Sequence, residues 1–318
     1  MTSPIALIAA PSLLGLSRPD GRVPRVDLLP EALMEAGLGR RLGVTMETTV
    51  TPGPYVPERD PVVGVHNAPG IVDLAHRLAD VVEAARRASR VPVVLGGDCS
   101  ILLGCLLGLK RTGARHGLAF LDGHTDFWPP SASPLGGVAG MDLWFSTGRG
   151  PAVLSNLEGR GPLVSDADVA LLGVRDSDDW GGAAGAEHAW DTAMLYLDLA
   201  TLRRDGIAAS MDRALSRLRA PGLEGFWIHL DADVMDDAVM PAVDSRQPDG
   251  LRPEELSEVL ALLAGSGRVA GVDVTIYDPS LDPGRTAARV LTDVLVQGLG
   301  ALASPPRTRQ AGADGFSP

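Results

Sequence analysis

The sequence is short of cysteine, and that shortage excludes one class of small secreted protein. Only 2 of the 318 residues are cysteine, and Cys99 and Cys105 stand six positions apart in one predicted helix. Two residues placed in this way argue against a disulfide framework. A reducing compartment, the cytoplasm, is therefore predicted.

Basic residues and long hydrophobic runs are also scarce. Lys and Arg total 28 against 40 Asp and Glu, which gives a formal net charge of −12. This balance argues against nucleic acid or an anionic membrane as the main partner. No uninterrupted apolar run is long enough to span a bilayer. The apolar N-terminus lacks the basic residues of a signal peptide, so we interpret it as a first strand.

Apolar residues are plentiful, at 45% of the chain, and can fill a sizeable core. Strand-like runs alternate with amphipathic helical segments, which is typical of a parallel sheet covered on both faces. Strands are predicted at residues 5–10, 44–50, 91–95, 117–121, 169–174, 194–197, 225–230 and 269–277. Helices are predicted at residues 28–38, 71–89, 101–111, 201–218, 253–263 and 286–302. The sequence predicts one α/β domain over residues 1–303 and a disordered tail at 304–318.

Polar side chains follow three of the predicted strands. Asp122, His124 and Asp126 alternate after the run 117–121, and an extended backbone sends alternate side chains to the same side. Two carboxylates and an imidazole suit Mn, Fe or Zn. Taken alone, this pattern is better explained as a polar turn after a strand.

The other two polar clusters change that interpretation. Cys99 lies in the segment GGDCS after run 91–95, and Asp231 and Asp233 begin the segment DADVMDD after run 225–230. Ligands of open α/β sheets bind beyond the carboxyl ends of the strands. Carboxylates packed at one sheet edge repel one another unless a cation offsets their charge. Together the three clusters predict a metal site.

These motifs resemble those of the ureohydrolase family of arginases, agmatinases and guanidino-acid hydrolases. The family motifs G-G-D-H-S, D-A-H-x-D and S-x-D-x-D-x-x-D-P correspond here to GGDCS, DGHTD and HLDADVMDD. The resemblance implies a three-layer α/β/α sandwich with a mostly parallel eight-stranded sheet. It also implies two Mn ions and a bridging hydroxide that attacks a guanidinium carbon to release urea.

The resemblance also implies a ligand for each metal, position by position. One ion takes Cys99, Asp122, Asp126 and Asp231, and the other takes Asp122, His124, Asp231 and Asp233. Asp122 and Asp231 would bridge the two ions. Asp126 would also accept a hydrogen bond from the nucleophile.

Two departures from the family pattern concern the metals and the proton transfers. Cys99 replaces a metal-binding histidine, and a thiolate favours Zn over Mn. The alternative is an inert, buried cysteine beside a site that holds one metal well. Ala139 stands where the family has a histidine that shuttles protons. His188 and His229 are candidates to replace that histidine, although a satisfied structural histidine is the favoured explanation of both.

The other two departures concern substrate recognition. Ile276, next to Thr275, stands where a family glutamate grips the guanidinium. Ser133, Leu135 and Gly137 replace polar contacts to an amino-acid substrate. Two residues are predicted to contact the substrate: Thr275, and Asp178, which lies in a segment resembling one that binds an α-amino group.

These observations favour a metal-dependent hydrolase that releases urea from a guanidino or amidino compound other than free arginine. The substrate would be a modified guanidine, either a small molecule or part of a peptide. Two alternatives stay open: a catalytically impaired scaffold, and a mononuclear amide hydrolase similar to the deacetylases. Family members are commonly trimers or hexamers, so a homo-oligomer is expected. The loops at 51–63 and 127–150 are expected to border the active-site mouth.

Overall fold

The computed structural model describes residues 4–17, 21–175 and 188–303. Its strands are β1 (Ile5–Ala9), β2 (Met46–Thr49), β3 (Val91–Leu95), β4 (Arg115–Leu121), β5 (Val169–Leu172), β6 (Leu195–Leu197), β7 (Leu223–Asp231) and β8 (Val269–Thr275). They form one eight-stranded sheet in the order β2-β1-β3-β8-β7-β4-β5-β6, and every pairing is parallel. Each predicted strand is present, and the α/β sandwich is confirmed. The predicted tail at 304–318 lies outside the described residues.

Helices flank the sheet. They are α1 (Leu29–Glu35), α2 (Leu38–Leu42), α3 (Ala68–Arg87), α4 (Ile101–Arg111), α5 (Asp142–Ser146), α6 (Ala152–Ser155), α7 (Leu199–Asp205), α8 (Ile207–Leu218), α9 (Pro253–Gly265) and α10 (Thr286–Leu299). In the part of the chain that the structure describes, no helix is both long and apolar enough to cross a membrane.

Two hydrophobic cores lie on opposite faces of the sheet. Leu7 of β1 belongs to the core that contains α9 and α10, whereas its neighbour Ile8 belongs to the core that contains α3 and α4. Adjacent strand residues point to opposite faces, so both must be apolar. This double burial explains why the strands are continuous apolar runs in the sequence.

Three predicted elements end earlier or divide where the backbone has positive φ. The helix predicted at 201–218 is two helices, α7 and α8, separated by Gly206 at φ 86°. Gly37, at φ 95°, likewise separates α1 from α2. A left-handed glycine ends a helix because it carries no Cβ. The strand predicted at 269–277 stops at Thr275, because Ile276 has φ 72° and cannot continue an extended strand.

The register of the sheet brings the ends of four strands to one level. Val274 of β8 pairs with Leu95 of β3 on one side and with Leu230 of β7 on the other. Leu230 in turn pairs with Leu121 of β4. The residues that follow β3, β4 and β7 therefore meet at the same edge of the sheet.

The turn after β3 is packed tightly against the segment that follows β1. A Cβ added to Gly97 would lie 1.8 Å from the backbone carbonyl oxygen of Ser12. Only glycine fits this contact, because backbone atoms cannot rotate away as a side chain can. The close approach fixes the position of Asp98 and Cys99 at the sheet edge.

Candidate metal centre and substrate cavity

Five predicted ligands from two strand ends converge at this edge. Two groups of side chains have ligand atoms that all lie within 4.8 Å of one another: Asp122, His124 and Asp126 form one group, and Asp122, Asp231 and Asp233 form the other. Asp122 belongs to both groups, which is the arrangement expected of a bridging carboxylate. We name these five residues the ligand cluster.

Backbone hydrogen bonds hold three of the carboxylates in place. The His124 N–H donates to Asp122 Oδ1 at 2.7 Å, and the Asp233 N–H donates to Asp231 Oδ1 at 2.7 Å. The Gly123 N–H donates to Asp233 Oδ1 at 3.0 Å, which ties the two strand ends together. The geometry is therefore set largely by the main chain.

The ligand cluster fits a divalent cation. Burial and the charge of nearby carboxylates raise the pKa of Asp122, Asp126 and Asp231. Asp122 Oδ2 is buried and has no hydrogen-bond partner among the described residues. A buried acceptor without a partner is rare in proteins and is satisfied when a cation binds. Carboxylate oxygens with one imidazole nitrogen are the donors that Mn²⁺ and similar ions accept.

His124 is held from both sides of its ring. His124 Nδ1 lies 2.9 Å from Asp233 Oδ2. Burial disfavours the charged forms of both side chains, but their mutual attraction outweighs this effect. The pKa of His124 is therefore raised and that of Asp233 is lowered. On the other side, His124 Nε2 lies 3.1 Å from Ser245 Oγ and 3.0 Å from Gln247 Nε2.

Cys99 lies beside the ligand cluster but is not part of either group of converging atoms. Its sulfur lies 3.0 Å from Asp231 Oδ2 and 3.3 Å from Thr275 Oγ1, within hydrogen-bond distance of both. Burial, followed by the charge of Asp231, raises its pKa well above the usual range. Metal ligation by Cys99 therefore stays a prediction. Thr275 is fully buried and contacts Cys99, and it does not line the cavity described below.

Beneath the ligand cluster lies a buried row of titratable groups, of which sequence analysis considered only His229. His229 Nδ1 lies 2.6 Å from Asp273 Oδ2, and its Nε2 lies 3.8 Å from Asp142 Oδ2. Burial lowers the pKa of His229, but Asp273 and Asp142 together raise it to about 9. All three side chains are fully buried, which agrees with the structural role favoured for His229.

The remaining predicted residues lie elsewhere. His188 stacks on Trp190, with ring centroids 4.4 Å apart, and does not line the cavity. Asp178 lies outside the described residues. Asp142 was missed because it belongs to no recognised motif, although its isolation between Met141 and Leu143 in an apolar segment is a signal that could have singled it out.

A cavity of about 180 Å³ opens over the ligand cluster. The segment after β4 forms one wall, including Trp128, Leu135 and Ala139, and Ile276 lies on another side. The expectation that loop 127–150 borders the site is confirmed, although this segment also contains helix α5. The expectation for loop 51–63 is wrong, because none of its residues lines the cavity. Its Arg59 instead donates to backbone oxygens of the other loop, at 2.8 Å to Pro130 and 2.9 Å to Ser133.

Comparison with known proteins agrees with this site and fold. A sequence model described as the Arginase family matches residues 20–300. An arginase of Staphylococcus aureus (strain MSSA476) is 29% identical over 291 residues, which cover 88% of this chain and 92% of the relative. An arginase of Brevibacillus brevis is 29% identical over 294 residues, which cover 91% of this chain and 95% of that relative.

Solved structures show the same fold. The arginase from Bacillus caldovelox superposes with a TM-score of 0.83 at 24% identity, over 94% of this chain and 99% of the other. The formimidoylglutamase from Bacillus subtilis gives a TM-score of 0.71 at 20% identity, over 95% of this chain and 88% of the other.

The α/β/α sandwich and the carboxylates at its sheet edge define a hydrolase of the ureohydrolase type, which acts on C–N bonds other than peptide bonds. Within that class, the match over residues 20–300 shows that the chain belongs to the arginase family. The resemblance stated from the three sequence motifs is thereby confirmed.

Proposed function

We propose that this protein hydrolyses a guanidino or amidino C–N bond with the help of two divalent metal ions, Mn being the favoured metal. The observation that carries the proposal is the convergence of Asp122, His124, Asp126, Asp231 and Asp233 in two groups of ligand atoms that share Asp122, beside a cavity. Zn, or a single ion, is the alternative if Cys99 changes the preference of the site.

The residues of the chain have separable roles in this proposal. Asp122 and Asp231 would hold both metals, and His124 and Asp233 would complete the ligands of one of them. A bound metal pair supplies Lewis acidity and lowers the pKa of water. Asp126 accepts a hydrogen bond from the attacking water and orients it toward the substrate. Water then supplies the oxygen of urea and the proton that the departing amine takes.

Three cavity residues make free arginine a poor substrate. Leu135 presents apolar surface where the amino-acid backbone of arginine needs polar partners, and Ile276 stands where the family resemblance puts a glutamate. Ala139 carries no titratable group. We therefore propose a modified guanidine, either free or within a peptide, as the substrate.

Cys99, Thr275 and Asp178 complete the proposed set. Cys99 is the further ligand proposed for one metal, and Thr275 positions its sulfur through the 3.3 Å contact. Asp178 is proposed to bind an amino group of the substrate. The chain is further proposed to work as a single domain over residues 1–303, in a cytoplasmic homo-trimer or hexamer, which light scattering after size-exclusion chromatography would test.

A product screen tests the reaction class. Mn-loaded protein is incubated with a panel of substituted guanidines and amidines, with acylated amines as controls and Asp231→Ala as the inactive reference. Urea release from at least one guanidine, absent with Asp231→Ala, is expected. Acetate or free amine from the acylated compounds would favour the mononuclear amide hydrolase. Release of neither product would favour the impaired scaffold.

A further inference from the structure

The substrate cavity is acidic, and one of its carboxylates is left over after metal binding. The ionisable side chains His124, Asp126, Asp231, Asp233 and Asp244 line it, together with the Cys99 thiol. No Arg or Lys is found among the described lining residues. The proposed ligand set occupies every one of these carboxylates except Asp244. Asp244 is therefore the carboxylate available to a substrate.

The backbone on both sides of Asp244 is anchored, which keeps this residue at the cavity. Ala242 and Val243 before it are buried. Ser245 after it contacts His124 Nε2 at 3.1 Å, and Gln247 contacts the same nitrogen at 3.0 Å. Asp244 lines the same cavity as Asp233 and His124, two members of the ligand cluster.

Asp244 also lies beside the segment that carries Ile276. The Asp278 N–H donates to the Ala242 carbonyl oxygen at 2.8 Å, so the chain just after Ile276 runs along the chain just before Asp244. Ile276 is buried except for the surface it presents to the cavity. A carboxylate and an apolar surface thus face the same space from adjacent backbone segments.

This combination matches the surfaces of a guanidinium ion. The ion is planar, with N–H donors around its edge that pair with a carboxylate and faces that are weakly hydrated. Asp244 forms no ion pair within residues 4–17, 21–175 and 188–303, and it is an exposed residue that lines the cavity. A cation that enters the cavity can therefore pair with this carboxylate.

We propose that Asp244 determines specificity at this site, by pairing with the guanidinium or amidinium group that is hydrolysed. It would take the place of the glutamate that the family resemblance puts at Ile276. The inference rests on the proposed function, and it names the substrate class as a compound whose reacting group is a cation. A neutral urea or amide of the same shape lacks the donors and the charge to use Asp244.

Binding measurements test the role of Asp244 independently of turnover. Calorimetry on the Mn-loaded protein compares n-butylguanidine, which has a single cationic group, with its neutral isostere n-butylurea. Asp244→Asn should weaken n-butylguanidine binding about 10- to 100-fold, because a hydrogen bond to a charged group is lost. Binding of n-butylurea should stay within about twofold.

A matched control and a rescue variant separate a specific effect from a general one. Asp249→Asn removes the same charge from the same segment, but Asp249 is exposed and does not line the cavity, so it should leave binding unchanged. Ile276→Glu in the Asp244→Asn background should restore n-butylguanidine binding. Metal content by elemental analysis should equal that of the wild type in every variant.

The outcomes distinguish failure of this inference from failure of the proposed function. Equal n-butylguanidine binding by Asp244→Asn and wild type overturns the role of Asp244, whether or not the product screen finds urea. An effect confined to ligands with a second, distal ammonium, such as agmatine, also overturns it, because Asp244 would then bind that ammonium and not the guanidinium. If Asp244→Asn loses n-butylguanidine binding but the product screen finds no urea from any compound, the cation site at Asp244 is supported and the proposed reaction is rejected.

Discussion

Asp122 and Asp231 are the residues on which the ligand cluster depends. Each would bridge both metals, so we expect Asp122→Ala or Asp231→Ala to abolish binding of the pair. Folding should survive, because these side chains lie at strand ends and their removal relieves repulsion between buried carboxylates. Elemental analysis of the purified variants checks the metal content, with the exposed Asp212→Ala as the control. Full metal stoichiometry in a folded variant would contradict the bridging assignment.

Cys99 decides which metal the site prefers, and thiol labelling tests its role. If its sulfur ligates a metal, bound metal should shield it and chelation should make it reactive. Alkylation with and without chelator, mapped by peptide mass, measures the difference. The buried Cys105 in α4 serves as an internal reference. Equal labelling of Cys99 in both conditions would remove it from the ligand set.

At the residue scale, the ligand cluster was predictable from the sequence because its members follow strands. Asp122 and Asp231 are recognisable as a strand-end pattern, and parallel strands place such ends at one edge. Asp142, Asp244 and Asp273 follow no such pattern. They reach the site through contacts between segments distant in the chain, which no local spacing records.

At the scale of elements, Arg59 connects the loop at 51–63 to the segment after β4 by hydrogen bonds. Its two hydrogen bonds to Pro130 and Ser133 hold the cavity wall after β4. Each such bond is worth ~1 kcal/mol or more, so Arg59→Ala should accelerate proteolytic cleavage within 127–141 on the order of tenfold. The exposed Arg219→Ala at the end of α8 is the control. Unchanged cleavage kinetics for Arg59→Ala would show that other contacts hold the wall.

Gly97 sets the distance between the segments after β1 and β3. Because its added Cβ would lie 1.8 Å from Ser12 O, Gly97→Ala should lower the free energy of unfolding by about 1–3 kcal/mol. Gly265→Ala, at the end of α9, meets no neighbouring atom and should stabilise by ~0.5 kcal/mol. Urea denaturation measures both. Equal midpoints for the two variants would mean that the turn after β3 shifts to accommodate the added Cβ without loss of stability.

Element types were predictable because long apolar and amphipathic runs dominate the sequence. All eight strands are present. The predicted ends of elements were wrong where a single residue adopts positive φ, as at Gly206 and Ile276. A glycine inside a helical pattern is tolerated often enough that its conformation cannot be read from the sequence. For Ile276 there was no signal, because β-branched residues rarely adopt this conformation.

At the scale of the whole molecule, metal binding should contribute measurably to stability. Ligands that bind only the folded state at 100 times their Kd stabilise it by about 2.7 kcal/mol per site. Chelation should therefore lower the Tm by on the order of 5–10 °C. Calorimetry before and after chelation checks this, and added Mn should reverse the shift. Asp231→Ala should show no shift, and a wild-type Tm insensitive to chelation would argue against occupied sites.

The position of β8 has a consequence for how the chain emerges from the ribosome. It is the last strand to be synthesised, yet it lies between β3 and β7. Until residues 269–275 appear, the strands already synthesised can pair only as two separate partial sheets, β2-β1-β3 and β7-β4-β5-β6, with no hydrogen-bond ladder in common. Asp122 and Asp231 already share one half, whereas Cys99 belongs to the other. A shortened polypeptide that ends before β8 would leave β3 and β7 as open edges, and such edges pair with neighbouring chains.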